Sequence, residues 1–147
     1  MRRLLLRGMD ALITNVPGYC VCVTTADCVP VLLYDKKQHV VAAVHAGWKG
    51  TVKHIVSNVM DHLNKMFGTQ GEDVIACIGP SISLESFEVG DEVYDAFEES
   101  GFDMSLISMK KKETGKYHID LWEANRIELL NLGVPAEQIE VAGICTY

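Results

Sequence analysis

Residues 39–68 read HVVAAVHAGWKGTVKHIVSNVMDHLNKMFG, and this stretch decides the fold class. It begins with a continuous apolar run over 39–44, as a strand buried on both faces does. A glycine-containing loop follows His45, and apolar residues then recur at three- and four-residue spacing. That period predicts an amphipathic helix over 52–67, with Gly68 placed to end it in a left-handed conformation. A buried strand that leads into a helix indicates an α/β protein.

Apolar runs and turn residues predict the remaining elements. Strands are expected at 19–24, 30–35, 74–78, 117–121 and 139–144. One helix is expected at about 90–100, and a second runs from the end of the 117–121 strand to about 132. The first two strands are adjacent, or form one strand bent at Pro30. We therefore predict an α/β (α+β) sandwich with a mixed β-sheet core and flanking helices. Since 147 residues suit one core and no linker or repeat is visible, we expect 1–147 to be a single domain.

Composition argues against several classes of partner. A formal net charge of -7 lacks the basic face that nucleic acid or an anionic membrane would attract. No apolar run approaches the roughly 20 residues that span a bilayer. The leucine run at 4–6 is too short for a signal peptide. The five cysteines are odd in number and contain no Cys-x-x-Cys pair, which favours a reducing, cytoplasmic compartment.

A first chemical motif lies at 24–30, where a thiol and a carboxylate stand side by side at a break between apolar segments. Asp27 by itself would oppose ionisation of the Cys28 thiol. A bound metal cation would reverse that balance, because it stabilises the thiolate. The simpler interpretation of most cysteines is a small buried hydrophobic residue.

A second motif lies at 44–51, where the buried strand passes through a glycine loop into the helix. Gly47 and Gly50 allow close approach of the backbone, and the helix start offers unpaired N–H groups to an anion such as phosphate. Lys49 adds positive charge. Trp48 could form an apolar wall or stack on a flat substrate. The alternative is an ordinary strand-to-helix turn with a core tryptophan.

Together with further motifs, these segments resemble the laccase-domain family, also called the polyphenol-oxidase or YfiH-like family. The matching motifs lie at 10–14, 25–33, 45–51, 78–82, 87–90, 118–121, 125, 133–134 and 145–146. The resemblance implies a fold similar to that of bacterial toxin deamidases with a Cys-His pair. It also implies phosphorolysis of adenosine, inosine and methylthioadenosine, with adenosine deaminase side activity. Phe87 and Lys49 stand where the family commonly has tyrosine and arginine.

The resemblance further implies a zinc ion, with copper as the alternative, held by a cysteine and two histidines. The first two ligands correspond to Cys28 and His45, which are also the predicted catalytic residues. Asp27 is the third predicted catalytic residue, as the candidate that orients a ligand. The glycine loop at 46–50 is the candidate that holds phosphate or ribose, with Gly47, Trp48, Lys49 and Gly50 as its binding residues.

The family's third histidine belongs to a Gln-Val-His motif ahead of 10–14, and residues 1–9 contain no histidine. The family's arginine-bearing segment after Cys-Thr is also absent, so we expect a family core without either end segment. Because catalytic zinc usually has three protein ligands, a substitute is needed. His118 is the first candidate, although a structural role at a strand end is the simpler interpretation. His39 would lie about 20 Å from His45 along the strand.

Other interpretations stay open at this point. Cys28 could act as a metal-free nucleophile with His45 as its base, in a hydrolase or deamidase. Copper-dependent phenol oxidation lacks the histidine clusters that such chemistry needs. The chain could also be an inactive, truncated binding module. We expect purine nucleosides and phosphate as partners, and a monomer or homodimer. His54 and His62 fall opposite the apolar helix stripe and are expected to be solvated.

Overall fold

The computed structural model describes residues 9–147, so the leucine run considered for a signal peptide lies outside the described residues. The strands are β1 (Ala11–Thr14), β2 (Val29–Asp35), β3 (Val40–Ala46), β4 (Val74–Ile78), β5 (Glu88–Val89), β6 (Ser108–Lys110), β7 (Tyr117–Ile119) and β8 (Ile139–Val141). The α-helices are α1 (Trp48–Val52), α2 (Ile55–Phe67), α3 (Asp91–Glu99), α4 (Met104–Ile107) and α5 (Leu121–Asn131). Within 9–147, every helix is too short or too polar to cross a membrane.

The strands form two sheets. The larger sheet has the order β1-β3-β2-β4-β8, and its neighbours are antiparallel except for the parallel pair of β4 and β8. The smaller sheet is antiparallel, with the order β5-β7-β6. The predicted mixed α/β fold is therefore confirmed.

Burial alternates along β2, as expected for an antiparallel strand with one face on the core. Val29, Val31 and Leu33 are buried, whereas Leu32 and Tyr34 are exposed. In contrast, β3 is buried at nearly every position, because β1 and β2 flank it and α2 packs on it. The continuous apolar run at 39–44 thus corresponds to the central, most enclosed part of the sheet.

The long predicted helix is divided in two. Its first turn begins earlier than predicted, at Trp48, and α1 ends before His54, which has the left-handed φ of 56°. The second part, α2, packs its apolar stripe on the sheet and ends at Phe67. Gly68 follows with a φ of 72°, so the predicted left-handed cap is confirmed.

The strand predicted at 19–24 is wrong, since these residues belong to neither a helix nor a strand. Their apolar composition favours extended structure, but a strand also needs a neighbour with free hydrogen-bonding groups. Both edges of β3 are taken, one by β2 and the other by β1, which was not predicted. The last strand is also shorter than predicted and ends at Val141.

His54 is partly exposed, with 42% of its side chain open to solvent, but it also makes contacts that the helical pattern did not predict. Its Nδ1 lies 2.8 Å from Glu128 Oε1, and its Nε2 lies 3.0 Å from the Ser100 carbonyl oxygen. Its ring also stacks on Phe102, and Ser57 donates a hydrogen bond to the same Glu128 oxygen. Both ring nitrogens thus have a polar partner. His54 thereby joins the α1–α2 break to α3 and α5. His62 is exposed, as predicted.

We predict that Glu128→Ala lowers the free energy of unfolding by about 1–3 kcal/mol, because a buried acceptor shared by His54 and Ser57 is lost. The Glu128 side chain is only 6% exposed, so solvent replaces it poorly. Urea unfolding followed by circular dichroism measures the change. The matched control is Glu98→Ala, which removes an exposed carboxylate from α3. Equal unfolding midpoints for the two variants would contradict this role of Glu128.

Candidate functional site

The two predicted ligands meet where β2 begins and β3 ends. In the antiparallel register, Pro30 pairs with His45 and Val29 pairs with Ala46. Cys28 precedes β2 by one residue, so the register brings it beside the loop that follows β3. Two side chains that are distant in sequence are thereby brought to the same end of adjacent strands.

An open cleft of about 250 Å³ lies at this position. The residues that line it are Asp10, Cys28, His45, Gly47, Trp48, Lys49 and Gly50. All the predicted site residues except Asp27 are in this set. The structure thus brings these residues together on one surface, while the chemical role of each stays a prediction.

Gly47 lets the loop pass directly over the Cys28 thiol. A Cβ atom at this position would lie 3.1 Å from Cys28 Sγ, which is tighter than an ordinary van der Waals contact. A larger residue here would push on the sulfur or displace the loop. The close approach, rather than an unusual backbone angle, accounts for glycine at this position.

Asp10 is a part of the cleft that the sequence analysis missed as a site residue. Its Oδ1 lies 3.4 Å from His45 Nδ1, and its carbonyl oxygen accepts a hydrogen bond from the His45 N–H at 2.6 Å. A carboxylate on the Nδ1 side favours the tautomer with its proton there and leaves the Nε2 lone pair free. The only signal in the sequence was the position of Asp10 at the start of a matching motif.

Burial and negative charge act on the Cys28 thiol. Burial is the largest cause that raises its pKa, followed by the charges of Asp27 and Asp10. The thiol is therefore held in its protonated form at neutral pH. A cation bound at the sulfur would have the opposite effect, because it stabilises the thiolate.

The donor chemistry of the cleft fits zinc or copper, since thiolate sulfur and imidazole nitrogen are ligands that both metals accept. Over residues 9–147, however, no three His, Cys, Asp or Glu side chains gather as a metal site. His118 does not supply the third ligand in this structure. It lies in β7 of the smaller sheet, is 3% exposed, and has its Nδ1 3.0 Å from the Leu84 carbonyl oxygen.

Asp27 is not part of the cleft lining, and its hydrogen bonds hold the loop ahead of Cys28. Its Oδ1 accepts a hydrogen bond from Thr146 Oγ1 at 2.9 Å, and its carbonyl oxygen accepts one from the Ile82 N–H at 2.9 Å. These contacts support an orienting role through the backbone rather than direct contact with a ligand.

Cys145 is a second thiol with altered chemistry, and it was not among the predicted site residues. The Ser83 hydroxyl and N–H and the Ser86 hydroxyl lower the pKa of Cys145 to about 7. The Ser83 nitrogen is 3.4 Å from the sulfur. A hydrogen bond donated to sulfur, as from the Ser83 N–H, stabilises the ionised form, so the thiolate of this exposed cysteine is favoured relative to an ordinary cysteine.

The fold and the cleft define a class: an α/β protein with a cysteine–histidine site at the ends of two antiparallel strands.

A family model described as multi-copper polyphenol oxidoreductase laccase matches residues 2–147, and the chain belongs to this family. A purine nucleoside phosphorylase of Bacteroides thetaiotaomicron is 64% identical over 146 residues, which are 99% of this chain and 54% of that protein. Adenosine deaminase RL5, from an unknown prokaryotic organism, is 43% identical over 141 residues, covering 96% of this chain and 53% of that one.

Solved structures agree with these sequence matches. The crystal structure of the Bacillus licheniformis hypothetical protein YfiH superposes with a TM-score of 0.86 at 35% identity, covering 93% of this chain and 51% of that one. YlmD from Geobacillus stearothermophilus also has a TM-score of 0.86, at 32% identity, covering 95% and 52%. The chain therefore spans about half the length of the relatives it matches.

We predict that iodoacetamide alkylates Cys145 at a rate that rises steeply between about pH 6 and pH 8, because its thiolate forms around the pKa of about 7. Ser83→Ala should raise this pKa toward the ordinary 9.0 and slow alkylation at pH 7 roughly fivefold. Mass spectrometry of the labelled peptide measures the rate. Cys77, an exposed thiol in β4, is the internal control whose rate should not change. A wild-type profile centred near pH 9 would refute the assignment.

Proposed function

We propose that the cleft at Cys28 and His45 is part of the active site of a metal-assisted purine nucleoside phosphorylase. The observation that carries this proposal is the joining of a thiol, an imidazole, a close-packed glycine loop and one lysine in a single open cleft. The printed names of the relatives support the same reaction class. Because the chain spans about half of those proteins, the activity is proposed for the protein that contains this chain.

In phosphorolysis, a phosphate oxygen attacks C1′ of the nucleoside and the bond from C1′ to the purine nitrogen breaks. The purine leaves with the electron pair of that bond and takes up a proton. The protein must therefore hold an anion beside the sugar and stabilise the charge that develops on the leaving base. Both tasks require polar groups around a cleft of limited size.

The glycine loop is the proposed phosphate-holding element. The first intrahelical bond of α1 runs from the Thr51 N–H to the Gly47 carbonyl oxygen, so the N–H groups at 48–50 precede it. With only five residues, α1 contributes a small dipole. We therefore assign the positive charge to Lys49, which is exposed and has its Nζ 5.5 Å from the centre of the Trp48 ring. Trp48 would stack on the purine.

Cys28 Sγ and His45 Nε2 are the proposed metal-holding atoms. A bound zinc ion, or copper as the alternative, would supply Lewis-acid polarisation of a substrate oxygen or nitrogen. Asp10 orients His45 through Nδ1, as carboxylates commonly do for metal-binding histidines. Asp27 fixes the loop that carries Cys28 through its bonds to Thr146 and Ile82.

A deaminase side activity on adenosine fits the same cleft. One relative, 43% identical, is named as an adenosine deaminase. Replacement of the purine amino group needs a water molecule at the ring instead of phosphate at the sugar. We propose that the two reactions share the nucleoside-binding surface and differ in which nucleophile is present.

The metal-free alternative, with Cys28 as a nucleophile, is less well supported. A nucleophilic cysteine needs a lowered pKa, whereas burial and two carboxylates raise the pKa of Cys28. Within residues 9–147, the side-chain partner of His45 is Asp10, and no hydrogen bond acts on the Cys28 thiol that would let the imidazole take its proton. The cleft thus suits a thiol that ionises when a cation binds it.

For cellular location and substrates, we propose a cytoplasmic enzyme that acts on purine nucleosides and phosphate. The free cysteines of 9–147 are consistent with a reducing compartment. Neither a monomer nor a homodimer is favoured by a particular contact, so both stay predictions.

We predict that Cys28→Ala lowers hypoxanthine release from inosine by at least about 100-fold, since a metal ligand is lost. The measurement is chromatography of the full protein's products, with and without phosphate. Omission of phosphate should abolish release by the wild type. The matched control is Cys77→Ala, which removes an exposed thiol outside the cleft and should keep full activity. Equal release by wild type and Cys28→Ala would exclude the role given to Cys28, and release without phosphate would indicate hydrolysis.

We also predict that added zinc protects Cys28 from iodoacetamide, because a coordinated thiolate is less available to the reagent. The experiment uses a Cys20→Ser, Cys22→Ser background so that only Cys28 is alkylated in its tryptic peptide. His45→Asn should remove the protection. Unchanged alkylation of Cys28 on addition of zinc would count against the metal site, and alkylation slowed by His45→Asn without zinc would favour the nucleophile alternative.

A further inference from the structure

A pair of thiols lies in the loop between β1 and β2, outside the cleft. Cys20 and Cys22 are both exposed, and their Sγ atoms are 3.6 Å apart in hydrogen-bond contact. By contrast, Cys77 is an exposed single thiol on the outer face of the larger sheet. From this arrangement we propose that Cys20 and Cys22 form a reversible disulfide by exchange with low-molecular-weight disulfides.

Chain geometry allows this bond. Two residues that are separated by one other have Cα atoms no more than about 7 Å apart. Disulfides usually join Cα atoms that are roughly 4.4–6.8 Å apart. The 3.6 Å separation of the sulfur atoms shows that both side chains already point to the same side. Closing the bond needs side-chain rotation and a small adjustment of the backbone.

The surrounding backbone can make that adjustment. Residues 15–28 belong to neither a helix nor a strand, so no ladder of regular hydrogen bonds has to break. The Cys28 thiol is engaged elsewhere, because it lies against Gly47 in the cleft. The proposed bond therefore joins the two exposed thiols and leaves Cys28 free.

The exchange balances with an oxidised glutathione molecule as the oxidant. The Cys22 thiolate attacks one sulfur of that disulfide, expels a glutathione thiolate and forms a mixed disulfide. The Cys20 thiolate then attacks the Cys22 sulfur and expels the second glutathione. Two protein thiols lose two electrons and two protons in total, and one glutathione disulfide becomes two thiols.

The order of attack follows from the interaction of the two groups. The hydrogen bond to Cys22 and the negative charge on Cys22 are the main causes that raise the pKa of Cys20. Both causes disappear once Cys22 is in a mixed disulfide, which releases Cys20 to ionise and complete the bond. Disulfides of this transient kind are the ones found in reducing compartments.

The test is treatment of the full protein with oxidised glutathione, followed by N-ethylmaleimide and mass spectrometry. We expect two fewer maleimide adducts than in the untreated protein, and an intact mass before labelling that falls by about 2 Da. Peptide mapping should find maleimide on Cys28 and a bond between Cys20 and Cys22. Dithiothreitol should restore both adducts, and Cys77→Ser should behave like the wild type.

Serine variants of Cys20 and Cys22 test the order in which the two thiols react with oxidised glutathione. Cys20→Ser should stop at a stable glutathione adduct on Cys22, and Cys22→Ser should lose the intramolecular bond. A stable glutathione adduct on wild-type Cys22, or a bond from either residue to Cys28, would overturn the proposal. Since mapping of the wild type decides the outcome by itself, the conclusion does not depend on how well the variants fold.

Discussion

The antiparallel register between β2 and β3 is the constraint on which the rest of the structure depends. Pro30 opposes His45, and the neighbouring Val44 and Ala46 are buried in the core. A slip of one residue would send His45 into the core and turn two apolar side chains into the cleft. The cost of exposing those side chains and burying an imidazole fixes the register. The same packing therefore builds the core and brings the imidazole beside Cys28.

The buried run at 39–44, the apolar stripe of α2 and its glycine cap could be predicted from the sequence, because each depends on local periodicity. The cysteine–histidine site could be found from its motifs. Asp10 could not, because it reaches His45 through β1, an edge strand of four residues with no periodic signal. The position of an edge strand depends on which neighbour has free hydrogen-bonding groups, and that is a property of the whole sheet.

The contacts of His54 could not be predicted for a different physical reason. A helical wheel assumes an unbroken rotation of about 100° per residue, and the left-handed residue between α1 and α2 interrupts it. The ring then contacts Glu128 and Ser100, while part of it stays exposed. Backbone strain of this kind persists where the surrounding contacts stabilise it. Here the stabilising partners come from α3 and α5, more than 40 residues later in the chain, so no local pattern could reveal them.

The charges around the cleft explain how one small surface could hold both a cation and an anion. Burial raises the pKa of Cys28, and the charges of Asp27 and Asp10 raise it further, which disfavours a permanent thiolate. The same carboxylates favour the approach of a cation, and its charge then offsets theirs at the sulfur. Lys49 lines the same cleft, and its positive charge would favour phosphate there. Gly47 places no side chain beside the sulfur, so the loop can lie close to Cys28 while the thiol still lines the cleft that a cation would enter.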